Sequence, residues 1–210
     1  MRIFFVTAFC FLICLNPGIA NSSYDGIFRT SETPSTNLKP FFKWTGVLDN
    51  FKKAHASEGN CVPSSKNKCY KKEWLDFLDS IKGMSSREQL NAVQKKMNEA
   101  EYILDIINWG VQDYWATPYQ FFIKDGDCED YAIAKYMSLK LLGFPSDKMR
   151  IVVLQDNNLG IMHAVLAVYL NDETMVLDNQ ISQVISSEKI HHYSPIYSIN
   201  ENGWWRHRKN

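Results

Sequence analysis

A cysteine becomes a nucleophile at neutral pH only where its surroundings favour the thiolate. Cys128 stands in such a stretch. Lys124-Asp125-Gly126-Asp127-Cys128-Glu129-Asp130-Tyr131 runs directly into residues 132–142, which are apolar almost all round and therefore predict a buried helix. Asp127 occupies the expected N-cap, and Gly143 followed by Pro145 supplies a left-handed stop. Cys128 is then the first helical residue, where unpaired backbone N–H groups and the positive end of the helix dipole favour an anion. A buried structural thiol is the plainer reading of any single free cysteine. Two further residues weigh against it.

The first is His163. His55, His191, His192 and His207 fall in polar, loop or tail segments, whereas His163 lies inside the strongly apolar run 162–170. The second is Asp178, a carboxylate directly after Met175, Val176 and Leu177 that needs a partner if it is buried. Asn171-Asp172 between the two runs predicts a hairpin turn. A two-residue or a four-residue loop sets Val165 opposite Asp178 and makes His163 its diagonal neighbour on the same face. A three-residue loop puts Asp178 on the wrong face unless a bulge intervenes. With an even loop, Cys128, His163 and Asp178 form a thiol triad. Cys128 attacks a carbonyl, His163 moves the proton, and Asp178 orients the imidazole. The Cys128 N–H is the natural first oxyanion donor. One cysteine and one distant histidine lack the paired ligand spacing of a zinc site. Asp127, Glu129 and Asp130 suit a first helical turn simply because they face the dipole.

The elements that must position these residues are helical first and extended afterwards, which predicts an α+β domain. Phe41, Trp44, Leu48 and Phe51 recur at helical spacing, as do Trp74, Leu75, Leu78 and Ile81 before Gly83. Ser85 and Glu88 form a capping-box pair. Behind them Leu90, Val93, Met97, Ala100, Leu104 and Ile107 predict one amphipathic helix that runs to Gly110. The aromatics of 111–123 have no clean period and read as core, with one or two lining a groove beside Cys128. Short β-branched runs at 149–155, 162–170 and 174–178 predict strands, with further ones near 184–185 and 196–199. The aromatic, basic end at 204–209 reads as tryptophans covering the sheet.

Residues 1–20 have the shape of a secretory signal: Met1-Arg2, an apolar run, then Gly18-Ile19-Ala20. Residues 21–38, rich in Ser, Thr, Asn and Pro, read as a flexible lead-in, and 39–210 as one domain. No later run approaches a membrane span. Twenty-three basic against 23 acidic residues create no field for nucleic acid or a membrane surface. Export leaves Cys61, Cys69 and Cys128 of the five cysteines. Cys61 and Cys69 flank a loop composition that closes on itself and are expected to form a disulfide. Cys128 is the odd one.

The blocks Asp125-Gly126-Asp127-Cys128-Glu129-Asp130-Tyr131-Ala132, Met162-His163-Ala164-Val165-Leu166 and Val176-Leu177-Asp178-Asn179 resemble, in order, the three signatures of the bacterial transglutaminase-like cysteine peptidases, and in particular its periplasmic, adhesin-processing members. The likeness covers roughly residues 40 to 206. It implies a papain-like α+β fold, the triad Cys128, His163 and Asp178, and bound calcium, for which Asp127, Glu129 and Asp130 are the expected ligands. It also implies a large surface adhesin as substrate, cut near its N-terminal end at a paired-alanine site to control biofilm attachment. The partner it implies is an inner-membrane cyclic-diguanylate receptor that sequesters the protease. The Cys61–Cys69 pair is not carried by the resemblance. Two other readings remain open: an acyltransferase with the same triad, and a catalytically silent calcium-dependent binding module.

Overall fold

The computed structural model describes residues 26–56 and 69–209. A turn of 3-10 helix at Ile27–Arg29 leads into β1 (Thr30–Ser35), followed by α1 (Phe42–Ala56), α2 (Tyr70–Ile81), α3 (Ser86–Met97), α4 (Asp105–Asn108), α5 (Pro118–Lys124) and α6 (Cys128–Leu141). The strands β2 (Met149–Asp156), β3 (Ile161–Leu170), β4 (Glu173–Leu177), β5 (Ile185–Ser186), β6 (Tyr193–Ile199) and β7 (Trp204–Lys209) complete the chain. They join β1 in one antiparallel sheet of order β1-β7-β6-β2-β3-β4-β5.

Period-two alternation divides the sheet between two cores. Met149, Ile151, Leu166, Val168, Met175 and Leu177 face α6 and the helices around it. Val152, Leu154, Val165, Ala167 and Val176 face the other way, where Ile27, Phe28, Ile190 and Tyr193 cover them. The central element is α6. Ile133, Ala134, Met137 and Leu139 on it are inaccessible to solvent, each large apolar side chain contributing roughly 1.5–3 kcal/mol. The helix ends as expected, at a Gly143 with φ +97°, where Gly143 N–H donates to Lys140 O and Phe144 N–H to Leu139 O.

The Ser85–Glu88 capping box is present, but three expectations of continuity or order need correction. The predicted helix to Gly110 stops at Met97, and Leu104 and Ile107 are exposed. Tertiary hydrogen bonds override the periodicity there: Ile103 N–H donates to Gly126 O, and Ala100 O accepts from the Tyr131 hydroxyl. The lead-in assigned to 21–38 contains β1, which pairs along its whole length with β7. The C-terminal tryptophans are not a cover for the sheet but part of β7 itself, with Arg150 stacked over Trp205 at 3.6 Å. Cys61 of the expected Cys61–Cys69 bridge and the 1–20 signal fall on residues outside the described ones, whereas Cys69 is described and buried. Among the described residues Cys128 is the one free cysteine, and no helix is long and apolar enough to cross a membrane.

Candidate active site

The hairpin between β3 and β4 places two of the candidate residues. Asn171 and Asp172 have φ of +49° and +63°, a two-residue turn of the kind that matches strand twist. Leu170 therefore pairs with Glu173, and the register runs on to Leu166 opposite Leu177. One step further Asp178 leaves the strand on the face that carries His163. The two side chains meet: His163 Nε2 lies 2.8 Å from Asp178 Oδ1, both side chains 1% exposed.

Asp178 is held from every side. Its Oδ1 also accepts from Gln180 N–H at 2.9 Å, and its Oδ2 from the Tyr193 hydroxyl at 2.6 Å. Its backbone carbonyl accepts from the side-chain amides of Gln94 and Asn98. Burial pushes the carboxyl up, but the hydrogen bond and charge of His163, with Tyr193 and Gln180, outweigh it and hold it below the ordinary value. An ionised Asp178 only accepts, so His163 Nε2 is the donor in this pair and Nδ1 is the ring nitrogen left to exchange a proton. The Gln180 amide lies 3.4 Å from that Nδ1.

Cys128 opens α6, as expected, with Asp127 at the N-cap, although the Asp127 side chain makes no capping hydrogen bond. Cys128 and His163 line one cavity of ≈ 360 Å³ with Tyr102, Trp115, Val153 and Met162. The thiol points its proton at Glu129 Oε2, 3.2 Å away. Burial pushes the thiol pKa up, and the charges of Glu129 and Asp127 add to that, against a smaller opposing hydrogen bond from the Ala164 N–H. Burial, and then the two carboxylates that share the helix start, oppose the thiolate that its N–H groups and dipole favour.

Those carboxylates belong to a larger cluster. Asp105, Asp127 and Asp130, all buried, bring ligand oxygens within 4.8 Å of one another, and Glu129 forms overlapping groups with Asp105 and Asp113 and with Asp127 and Cys128. Buried Asp105 Oδ1, Asp127 Oδ1 and Asp130 Oδ2 have no hydrogen-bond partner. Burial, then mutual repulsion, pushes Glu129 up to about 9 and Asp130 up to about 8. Asp105 is pushed up to about 6, chiefly by burial. Several hard oxygens converging with their lone pairs unsatisfied are what a divalent cation such as Ca²⁺ requires. Asp127, Glu129 and Asp130, the ligands the resemblance implies, all fall in this cluster, and Asp105 joins Asp127 and Asp130 in its buried group. A parallel bridge between Tyr102 and Gly126 brings it there. Gly126 also has no room for a side chain: a Cβ would lie 2.3 Å from Asp130 Oδ2.

Sequence reasoning missed Asp105, Gln94, Asn98, Gln180, Tyr193 and Lys135. Two of these carried a signal. Gln94 interrupts the buried stripe of α3, and Asp105 is a lone acid between Ile103-Leu104 and Ile106-Ile107. Lys135 is inaccessible on α6, its Nζ without a hydrogen bond and 5.6 Å from the Tyr131 ring centroid. Burial drives its pKa down to about 7 against the pull of Asp178.

An α+β frame with a cysteine on the first turn of its buried helix, beside a buried His–Asp pair, is the frame of a thiol enzyme. Residues 55–209 match the family model of the bacterial transglutaminase-like cysteine proteinases. The chain belongs to that family and is a cysteine protease. No curated protein sequence matches it. Among solved structures it is similar to calcium-bound Legionella pneumophila LapG, with 31% identity, a TM-score of 0.61, and coverage of 76% of this chain and 87% of that one. An EGTA-treated structure of the same Legionella protein gives 31% identity, a TM-score of 0.60, and coverage of 78% and 86%.

Proposed function

We propose that this chain is a calcium-dependent endopeptidase whose triad is Cys128, His163 and Asp178. The observation that carries this reading is the buried His163 Nε2–Asp178 Oδ1 hydrogen bond, which leaves Nδ1 as base beside the cavity that also holds Cys128. His163 Nδ1 takes the thiol proton, and the Cys128 sulfur attacks the scissile carbonyl carbon. The Cys128 N–H, at the helix start where no intrahelical carbonyl faces it, donates to the developing oxyanion. The imidazolium, oriented and charge-balanced by Asp178, returns its proton to the leaving amine. Water, deprotonated by His163, then hydrolyses the thioester.

Asp105, Asp127 and Asp130, with Glu129, are the proposed Ca²⁺ ligands. Their orphaned buried oxygens support this, as does the likeness to a protein whose structure is described as calcium-bound. Bound there, the ion supplies positive charge that offsets the carboxylates opposing ionisation of Cys128.

The leader-like 1–20 segment and the family resemblance support export to the periplasm. The resemblance further supports a large surface adhesin as substrate, cut near its N-terminal end at paired alanines, in control of biofilm attachment. It supports a cyclic-diguanylate receptor of the inner membrane as the sequestering partner. Incubation with adhesin N-terminal segments and sequencing of the new ends tests the reading. One cut at paired alanines is expected, absent with Cys128→Ala and suppressed by EGTA. Cleavage by Cys128→Ala at a rate within about tenfold of wild type, only some 1.4 kcal/mol of barrier, refutes the triad.

A further inference from the structure

The triad is buttressed from a part of the chain far from its signatures. Tyr193 of β6 gives its hydroxyl to Asp178 Oδ2 at 2.6 Å, and its ring lies 5.7 Å from the His163 imidazole. Behind that ring stands Phe28, edge-on at 5.7 Å and 84°. Phe28 and Tyr193 share one buried cluster with Ile27, Val165 and Ile190. Phe28 thus contacts the group that holds Asp178, from the side of the sheet opposite α6.

The segment that delivers Phe28 is strained. Phe28 has φ +55°, ψ +36° and Arg29 has φ +61°, left-handed conformations unfavourable for bulky side chains. The surroundings over-determine them. Ile27 N–H donates to Glu32 Oε1 at 2.9 Å. The Arg29 guanidinium donates to Glu188 O at 3.1 Å and Ile190 O at 3.3 Å and meets His191 Nδ1 at 2.9 Å. Ile27 and Phe28 are 2% and 7% exposed. The strained turn therefore clips the start of the described chain to the 187–193 segment that carries Tyr193.

We propose that residues 26–29 form a positioning strap for the proteolytic site: Phe28 locks the Tyr193 ring, the Tyr193 hydroxyl fixes Asp178, and Asp178 aims His163. The inference rests on the triad reading and assigns Phe28 and Tyr193 as positioning residues. Without the strap, Cys128 stays in place, but the base beside it loses its fixed orientation. Because Phe28 acts through the Tyr193 hydroxyl, the effects of losing the two do not add.

The test uses the full chain with calcium and a fluorogenic peptide containing paired alanines, with Tyr193→Phe, Phe28→Ala, Phe28→Leu and the double variant Phe28→Ala/Tyr193→Phe. Tyr193→Phe keeps the ring and its packing, so the fold is preserved while the hydroxyl is lost. Expected is a fall in kcat of about tenfold or more for Tyr193→Phe with KM within about twofold, a smaller fall for Phe28→Ala, and partial rescue by Phe28→Leu. The double variant should fall no further than Tyr193→Phe alone. Wild-type kcat in Tyr193→Phe overturns the proposal, as do fully additive losses in the double variant. Cys128→Ala is the control: if it retains turnover, the triad itself has failed, whereas an inactive Cys128→Ala beside a fully active Tyr193→Phe removes the strap alone.

Discussion

Asp130→Asn should make the metal-free protein more stable while weakening its response to calcium. Asp130 is inaccessible, and burial together with Asp127 and Asp105 pushes its carboxyl up to about 8 from an ordinary 3.8. A carboxyl raised in the folded state contributes stability that is complete below the unfolded value and lost as pH rises through the folded one. Between about pH 4 and pH 7 that loss, at about 1.4 kcal/mol per pH unit, reaches about 4 kcal/mol. Asparagine removes the titration. Its carbonyl can keep the 2.7 Å hydrogen bond from Ala116 N–H, and its amide replaces Oδ2 near the unpartnered Asp105 Oδ1 and Asp127 Oδ1. With neighbouring carboxylates titrating together, at least about 2 kcal/mol should be realised at pH 7, a rise in Tm of several degrees for a domain of this size. Calcium stabilises the wild type by about 2.7 kcal/mol at one hundred times its Kd; the variant, one charge poorer, should gain less. Calorimetry at pH 5 and pH 7, in EGTA and in calcium, measures all four values. A metal-free variant that melts at or below metal-free wild type at pH 7 refutes the reasoning, because the carboxylates would then not be opposing the fold.

Lys135→Met should stabilise the protein at pH 7 by up to about 4 kcal/mol, since burial drives the ammonium from 10.5 down to about 7. A lowered lysine penalises the fold most below pH 7 and progressively less towards 10.5, so the gap between variant and wild type in chemical denaturation should shrink as pH rises; a widening gap contradicts it. Gly126→Ala should drive a Cβ into Asp130 and weaken calcium binding in titration calorimetry by at least about tenfold, or 1.4 kcal/mol, and unchanged affinity would show that Asp130 is not a ligand. Burial, Glu129 and Asp127 raise the Cys128 thiol pKa, so calcium should move the pH midpoint of iodoacetamide labelling downward. An identical midpoint in EGTA would separate the cluster from the nucleophile.

What the sequence by itself determined was local. Asp127, Gly143 and an apolar run were enough to put Cys128 on the first turn of a buried helix, because capping and the left-handed stop are decided within a few residues. The register of His163 and Asp178 was legible as a condition, an even loop at Asn171-Asp172, since only an even loop preserves side-chain parity, and the structure met it with a two-residue turn. The Ser85–Glu88 box was equally legible. Tertiary structure decided what depended on distant partners. The periodicity through Leu104 and Ile107 was real, but hydrogen bonds from 100 and 103 to the α6 region ended α3 early and carried Asp105 to Asp127 and Asp130. Residues 30–35 and 204–209 have no strong strand pattern of their own and became strands by pairing with each other. Tyr193, Gln94 and Asn98 reach Asp178, and Phe28 reaches Tyr193, only once the sheet is assembled and the helices are packed on it. Their contacts span between 15 and 84 residues of chain where a hydrogen bond joins them to Asp178, a separation over which no local pattern records who will meet.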